Sequence, residues 1–275
     1  MASLDELQRE QEIMLALESS GQVLVTELAY RFGVSAVTIR KNLDALERRS
    51  MLRRVRGGAV SVGTTDEGSF AQRLCHRADA KQAIARAAAP LVHSGEVIAM
   101  DASTTCFYLA HELLERRDLV VVTNGMRAAS LFMEQSTAMV LMPGGVLRRS
   151  AGSMVGPIGD LLAGRGRIDR GFFGVVGLSA ERGLMDIVAE EAQTKSYLAA
   201  ACSRVYGLFD SSKAGRFALH SFAATSQVEA LYTDDGIDPD LVGEWRELGV
   251  PTHAVAVDSD AGIVELPQPA TGSRR

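Results

Sequence analysis

Residues 25–59 read VTELAYRFGVSAVTIRKNLDALERRSMLRRVRGGA, and this stretch decides how the front of the chain folds. Thr26 is placed to cap a helix over 27–32 whose inward stripe includes Leu28 and Ala29. Gly33 suits the left-handed residue that ends such a helix. Val34 fills the corner, and Ser35 is a good cap for a further helix running to about residue 49. Two helices joined by a short Gly-containing turn form a helix-turn-helix. On the second of them Ile39, Leu43 and Leu46 recur at i, i+4 and i+7 and face a core. That leaves Ala36, Val37 and Thr38 of the first turn, then Arg40, Lys41 and Asn42, near the opposite face. This is how a recognition helix offers side chains to base edges and phosphates. Residues 51–60 then alternate apolar and basic residues into Gly57-Gly58. They read as a two-stranded wing whose Arg53, Arg54 and Arg56 track a phosphate backbone. Upstream, Leu4, Leu7, Ile13, Met14 and Leu17 fall near helical spacing, and Ser19-Ser20-Gly21 stops the run.

The charge distribution agrees with a polyanion-binding front. Between residues 31 and 56 there are eight Arg or Lys against two acids, a local excess of +6 in a chain whose net charge is −5. A basic block in an acidic protein is the footprint of a nucleic-acid-binding module joined to something else. With 47% apolar and 23% charged residues, the 275-residue chain is globular rather than disordered. It contains no run of apolar residues long enough for a membrane span, and its polar, acidic N-terminus lacks a signal-peptide core, so it is expected in the cytoplasm. Cys75, Cys106 and Cys202 are far apart and odd in number, which excludes a disulfide framework or a CxxC metal site. The five histidines show no metal spacing, so neither a metal nor a cofactor is expected. Cys106 reads as a small buried apolar residue and Trp245 as packing for a C-terminal helix.

The pattern divides the chain into a DNA-binding module over 1–60, a connection over 61–80, an α/β domain over 81–257 and a tail over 258–275. Residues 61–69, SVGTTDEGS, are small and polar, as a linker is. The tail lacks periodicity and is expected to be disordered. Between them, an Ala-rich helix over 81–92 precedes short apolar strands near 97–100, 119–122, 139–142, 172–176, 204–209 and 230–232, with helical stretches interspersed. Such alternation predicts a mostly parallel sheet covered by helices. Ligands of these sheets bind beyond the carboxyl ends of the strands, and there the polar clusters fall. Asp101-Ala102-Ser103-Thr104-Thr105 follows the first strand and opens a helix, offering hydroxyls and backbone N–H groups to a phosphate. Thr123-Asn124-Gly125, Pro143-Gly144-Gly145 and Asp210-Ser211-Ser212-Lys213 end later strands. Only 4 of 29 basic residues are Lys. A compact ammonium among small hydroxyls at Lys213 therefore points to a phosphate contact.

These residues resemble the DeoR family of bacterial transcriptional regulators over roughly residues 5–257. The resemblance rests on the 25–59 stretch and, behind it, on DASTT, VVTN, LMPGGVLR, DRGFFGVVG, EEAQTK and FDSSK in that order. It implies a winged helix that binds operator DNA, followed by a sensor related to ribose-5-phosphate isomerase whose usual ligand is a phosphorylated sugar. Carried over by position, Ser35, Val37, Thr38 and Arg40 belong to the recognition helix. Asp101, Ser103, Thr104 and Thr105 line the phosphate loop, with Asn124, Gly144 and Gly145 nearby. Lys213 contacts the effector phosphate, and Asp169, Glu191 and Lys195 surround the sugar end. The chain departs from the family at Ser103, where Gly is usual, and at Lys41-Asn42, where Arg-Asp is usual. The resemblance further implies a homo-oligomer and a repressor released by its effector. Two other functions fit the residues: a sugar-phosphate isomerase using Asp169, Glu191 and Lys195, and a DNA-binding protein indifferent to any sugar.

Overall fold

A computed structural model describes residues 22–48, 52–61, 70–156 and 167–257, together with residues 9, 10, 12, 13, 16 and 17. At the front, β1 (Gln22–Leu24) leads directly into α1 (Val25–Phe32), and α2 (Ala36–Arg48) is followed by the hairpin of β2 (Leu52–Val55) and β3 (Gly58–Ser61). The three strands form one antiparallel sheet in the order β1-β3-β2. Strand β1 was not foreseen, because three residues are too short for alternation to register. Its presence moves the helix start. Leu24 is the cap residue and Thr26 lies within the first turn, so the expected cap at Thr26 is corrected. Gly33 adopts φ +63° and closes α1. The Ser35 Oγ accepts the Thr38 N–H at 3.1 Å, capping α2 as its sequence predicts.

The small core beneath this sheet contains Ile13, Leu17, Val23, Leu28, Ile39, Leu43 and Leu46, each 5% exposed or less. Of the upstream helical pattern, Leu4, Leu7, Met14 and the stop at 19–21 lie outside the described residues. Asn42 is the second correction. It is 1% exposed rather than outward-facing, since it stands three residues after Ile39 and four before Leu46, on the inward stripe.

The rear domain starts earlier than the sequence suggests. Residues 62–69 lie outside the described residues, but α3 (Phe70–Cys75) and the start of α4 (Ala78–Ala88) occupy most of residues 70–80, which were expected to be connection. A seven-stranded, wholly parallel sheet follows: β4 (Val97–Met100), β5 (Val120–Thr123), β6 (Met139–Leu141), β9 (Ile168–Gly174), β12 (Cys202–Leu208), β14 (Val228–Asp234) and β15 (Thr252–Val255). Helices α4, α5 (Thr104–Glu112) and α6 (Met126–Gln135) contribute to the core on one face. The other face carries α7 (Ala189–Ala201), α8 (Pro239–Glu247) with its buried Trp245, and a small antiparallel sheet of β10 (Gly177–Ser179), β11 (Gly183–Asp186) and β13 (His220–Ala223). A separate hairpin, β7 (Val146–Arg148) and β8 (Ser153–Val155), stands beyond β6. The tail over 258–275 lies outside the described residues.

Candidate functional site

The sheet order is β15-β14-β12-β9-β4-β5-β6. The chain lays β5 and β6 on one side of β4, then returns to lay β9, β12, β14 and β15 on the other. The order therefore reverses between β4 and β9, and open α/β sheets hold ligands at the carboxyl ends beside such a reversal. Asp101, immediately after β4, bridges it. Fully buried, its carboxylate accepts the Ser103 N–H at 3.0 Å on one oxygen and the Gly174 N–H, at the end of β9, at 3.0 Å on the other.

Lys195 on α7 reaches the same point. Its Nζ lies 2.9 Å from Asp101 Oδ2 and 2.7 Å from Asp186 Oδ2, and it donates to the Gly174 carbonyl at 3.0 Å. Burial alone would pull the Lys195 ammonium down, but Asp101 and Asp186 outweigh it and hold its pKa above the ordinary value. Burial pushes the Asp101 carboxyl up, and the Lys195 charge with hydrogen bonds from Lys195 and Ser103 brings it below the ordinary carboxylate range. Both groups are thus charged near neutrality and saturated by each other.

A second cluster surrounds Glu191, one turn before Lys195 on α7. Its carboxylate accepts from Arg148 Nη1 at 2.7 Å, from the Ser153 hydroxyl, and from Asn124 Nδ2 at 3.2 Å. Asn124 is fully buried at the end of β5, and its Oδ1 has no hydrogen-bond partner among the described residues. Arg148 and Ser153 are opposite one another on the β7–β8 hairpin, so this hairpin supplies half of the Glu191 cluster. Gly144 and Gly145 lead into β7. Gly145 has φ +144° and passes close to the Val155–Gly156 backbone, where a Cβ would collide with the Val155 carbonyl.

Between the clusters, Ser103 caps α5 by accepting the Cys106 N–H at 3.2 Å, and Thr104 and Thr105, each 5% exposed, form its first turn. The Ser103 side chain lies against Gly174, where any Cβ would run into Ser103 Cβ and Oγ. Cys106 is fully buried, and burial raises its thiol well above the ordinary value, in keeping with a packing role.

Farther along the same edge, Asp210 and Asp234 follow or end β12 and β14. Arg77 donates to Asp234 Oδ2 at 3.1 Å and to Ser211 Oγ at 3.0 Å. Ser211 in turn donates its hydroxyl to Asp234 Oδ2 at 2.7 Å. Lys213 sits half-buried in the short 3-10 helix Ser211–Lys213 beside this group.

Asp169 is a correction. It lies at the amino end of β9, where Oδ2 accepts the Val97 N–H at 2.8 Å at the start of β4. Five residues of extended strand separate it from Gly174, about 16 Å, so it stands at the edge of the sheet opposite Asp101, Lys195 and Glu191.

Five residues of these clusters went unremarked as contacts in the sequence: Arg77, Arg148, Ser153, Asp186 and Asp234. Arg148 lies inside the LMPGGVLR motif. Asp234 follows the strand near 230–232, so the rule of polar strand ends that marked Asp101, Asn124 and Asp210 would also have marked it. Arg77, Ser153 and Asp186 carry no local signal.

Helix α3, the first described element after residue 61, docks on the hairpin. The Phe70 N–H donates to the Ser150 carbonyl at 2.9 Å, and its buried ring packs edge-on to Phe107 at 5.5 Å and beneath the Arg127 guanidinium at 5.0 Å.

On the front module, Val37, Arg40, Lys41 and Asp44 form the exposed stripe of α2. Arg54 is engaged rather than free. It pairs with Asp44, donates to the Arg40 carbonyl at 3.2 Å, and its N–H is accepted by Glu47 at 2.7 Å, tying the wing to α2. Arg56 is exposed in the turn with Gly57, and the Arg53 side chain lies outside the described residues.

The profile of the DeoR C terminal sensor domain matches residues 76–235, and that of the DeoR-like helix-turn-helix domain matches residues 9–65. The HTH-type transcriptional regulator GolR of Listeria innocua is 30% identical over 89% of this chain and 96% of its own length. The L-fucose operon activator of Haemophilus influenzae is 32% identical over 87% of this chain and 96% of its own length. The glycerol-3-phosphate regulon repressor of Escherichia coli K12 is 29% identical over 84% of this chain and 92% of its own length. With both halves matched in order and relatives aligned nearly end to end, the chain belongs to the DeoR family of helix-turn-helix transcriptional regulators.

Proposed function

We propose that this regulator is a repressor of carbohydrate genes which a phosphorylated sugar releases from its operator. The carrying observation is the pair of buried polar clusters at the β4/β9 reversal, above all Asn124 beside Glu191, whose fully buried amide oxygen has no partner among the described residues. An orphaned buried polar atom costs roughly 1–3 kcal/mol, and a sugar hydroxyl would satisfy it. Glu191 and Asn124 then hold hydroxyls, Gly144 and Gly145 let the backbone approach, and the first turn of α5 with Ser103, Thr104 and Thr105 receives the phosphate, aided by Lys213.

The ionisation of the site favours binding over catalysis. A general base must be free to take a proton, whereas Asp101 and Lys195 are paired with each other and the Glu191 carboxylate is held by Arg148, Ser153 and Asn124. An isomerase reading also loses Asp169 from the cluster.

The α2 stripe and the wing bind operator half-sites, two or more modules acting in a homo-oligomer on repeated or palindromic DNA in the cytoplasm. The route from sensor to DNA is the β7–β8 hairpin, which touches Glu191 through Arg148 and Ser153, and Phe70 through Ser150. Among the relatives one is named a repressor and another an activator; the repressor reading follows the commonest family behaviour.

The test is fluorescence anisotropy on labelled DNA from the chain's own upstream region, titrated with ribose 5-phosphate, fructose 1-phosphate, fructose 6-phosphate and glycerol 3-phosphate. Release by one compound, lost in Lys213→Ala, supports the reading. Specific binding that no phosphorylated sugar disturbs overturns the effector half, and tighter binding in its presence reverses the sign.

A further inference from the structure

The outward surface of α2 is chemically graded. Its first turn exposes Val37 at 57%, the one exposed large apolar side chain among the described residues of this helix. The hydroxyls beside it bond to one another. Ser35 Oγ accepts the Thr38 N–H at 3.1 Å and lies 2.9 Å from Thr38 Oγ1. One turn on, Arg40 and Lys41 supply exposed cations, and at the far end Asp44 is neutralised by Arg54. An acid facing DNA repels phosphate, and the Arg54 pair offsets that repulsion. The exposed surface thus runs from methyl groups in the first turn to cations in the second.

The major groove presents one apolar feature, the C5-methyl of thymine; every other distinguishing group there is a hydrogen-bond donor or acceptor. An exposed valine, with no donor or acceptor of its own, has only that feature to match. We infer that Val37 reads a thymine methyl in each operator half-site. This deepens, and rests on, the assignment of α2 as the DNA-reading helix. It makes Val37 a residue that determines which operator is bound, rather than one that adds affinity to any DNA.

The experiment replaces each thymine in turn by uracil in the duplex that the full-length protein protects within its own upstream region. Dissociation constants are measured for the wild type and for Val37→Ala, a substitution at an exposed site. One thymine position per half-site should weaken wild-type binding roughly four-fold when its methyl is removed, the worth of one buried methyl-sized group. The Val37→Ala protein should bind the thymine duplex more weakly by a similar factor and be indifferent to uracil at that position. Val37→Thr, which retains one methyl, should stay sensitive to the swap. If no thymine is sensitive, or if Val37→Ala stays as sensitive as the wild type, the inference fails while DNA binding stands. If no segment is bound specifically, the DNA-reading assignment fails and this inference fails with it.

Discussion

The two halves of this molecule keep their candidate functional residues in opposite states. On the front module Val37, Arg40 and Lys41 are exposed, lie within five residues of one another and rest on a helix whose other face is core. In the sensor, Asp101, Asn124, Glu191 and Lys195 are buried, come from three segments spread over 95 positions, and are held by polar partners except at Asn124 Oδ1. An exposed reader waits for a large polyanion to supply its partners. Buried charges must stay paired whether or not anything is bound, because unpaired charge in a low-dielectric interior is expensive. The difference implies that substitutions on the front change binding with little effect on folding, whereas those in the sensor change folding first.

The sharpest way to break this contrast is Lys195→Ala. It leaves the Asp101 and Asp186 carboxylates buried together without a cation, and removing one member of a buried charge network costs about 3–5 kcal/mol. Denaturant unfolding at pH 7 should show that loss. The wild-type pH dependence has a defined sign. Asp101 is lowered from its ordinary 3.8, so its contribution is present above about pH 4 and is lost as pH falls through the folded value. Lys195 is raised from 10.5, so its contribution is present below that pH and is lost only as pH rises beyond it. The variant should regain stability relative to the wild type on acidification; a constant deficit from pH 7 to 4 would contradict the charge argument.

Gly174→Ala probes the same region sterically. The added methyl meets Ser103, and overpacking of this kind costs about 1–3 kcal/mol. Combining it with Ser103→Gly should restore most of the loss. Additive losses in the double variant would mean that the two residues are not coupled as their contact implies.

On the front, Arg40→Ala should weaken operator binding by about 1–3 kcal/mol, with the unfolding midpoint unchanged. A comparable loss of stability would erase the distinction between the halves. The smallest effect is expected from Asp169→Asn, which weakens one acceptor for the Val97 N–H. It should cost at most about 1 kcal/mol of stability and leave the response to a sugar phosphate intact; a lost response would return Asp169 to the site.

The front module was legible because its signals are local. Gly33 for the left-handed turn, Ser35 for the cap, and Ile39, Leu43 and Leu46 for the stripe act within one or two helical turns. The errors there arose where a longer-range partner intervened. Strand β1 exists by pairing with β3, which displaces the helix start from Thr26, and Arg54 is drawn to Asp44 and Glu47 rather than left for phosphate. In the rear domain the strand ends were legible as polar residues after apolar runs, so Asp101, Asn124 and Asp210 were found. Asp169 entered only through the family resemblance, and the direction of β9 places it at the opposite edge of the sheet from Asp101.

By itself the sequence determined that a winged helix-turn-helix precedes a helix-covered parallel sheet, since periodicity, caps and turn residues act through neighbouring backbone. The tertiary structure alone decided that the sheet reverses between β4 and β9. It also decided that Lys195 spans Asp101 and Asp186, and that a hairpin carries Arg148 and Ser153 onto Glu191. Those contacts join residues nine to ninety-four positions apart, and buried charges choose partners by where packing places them, which no local pattern records.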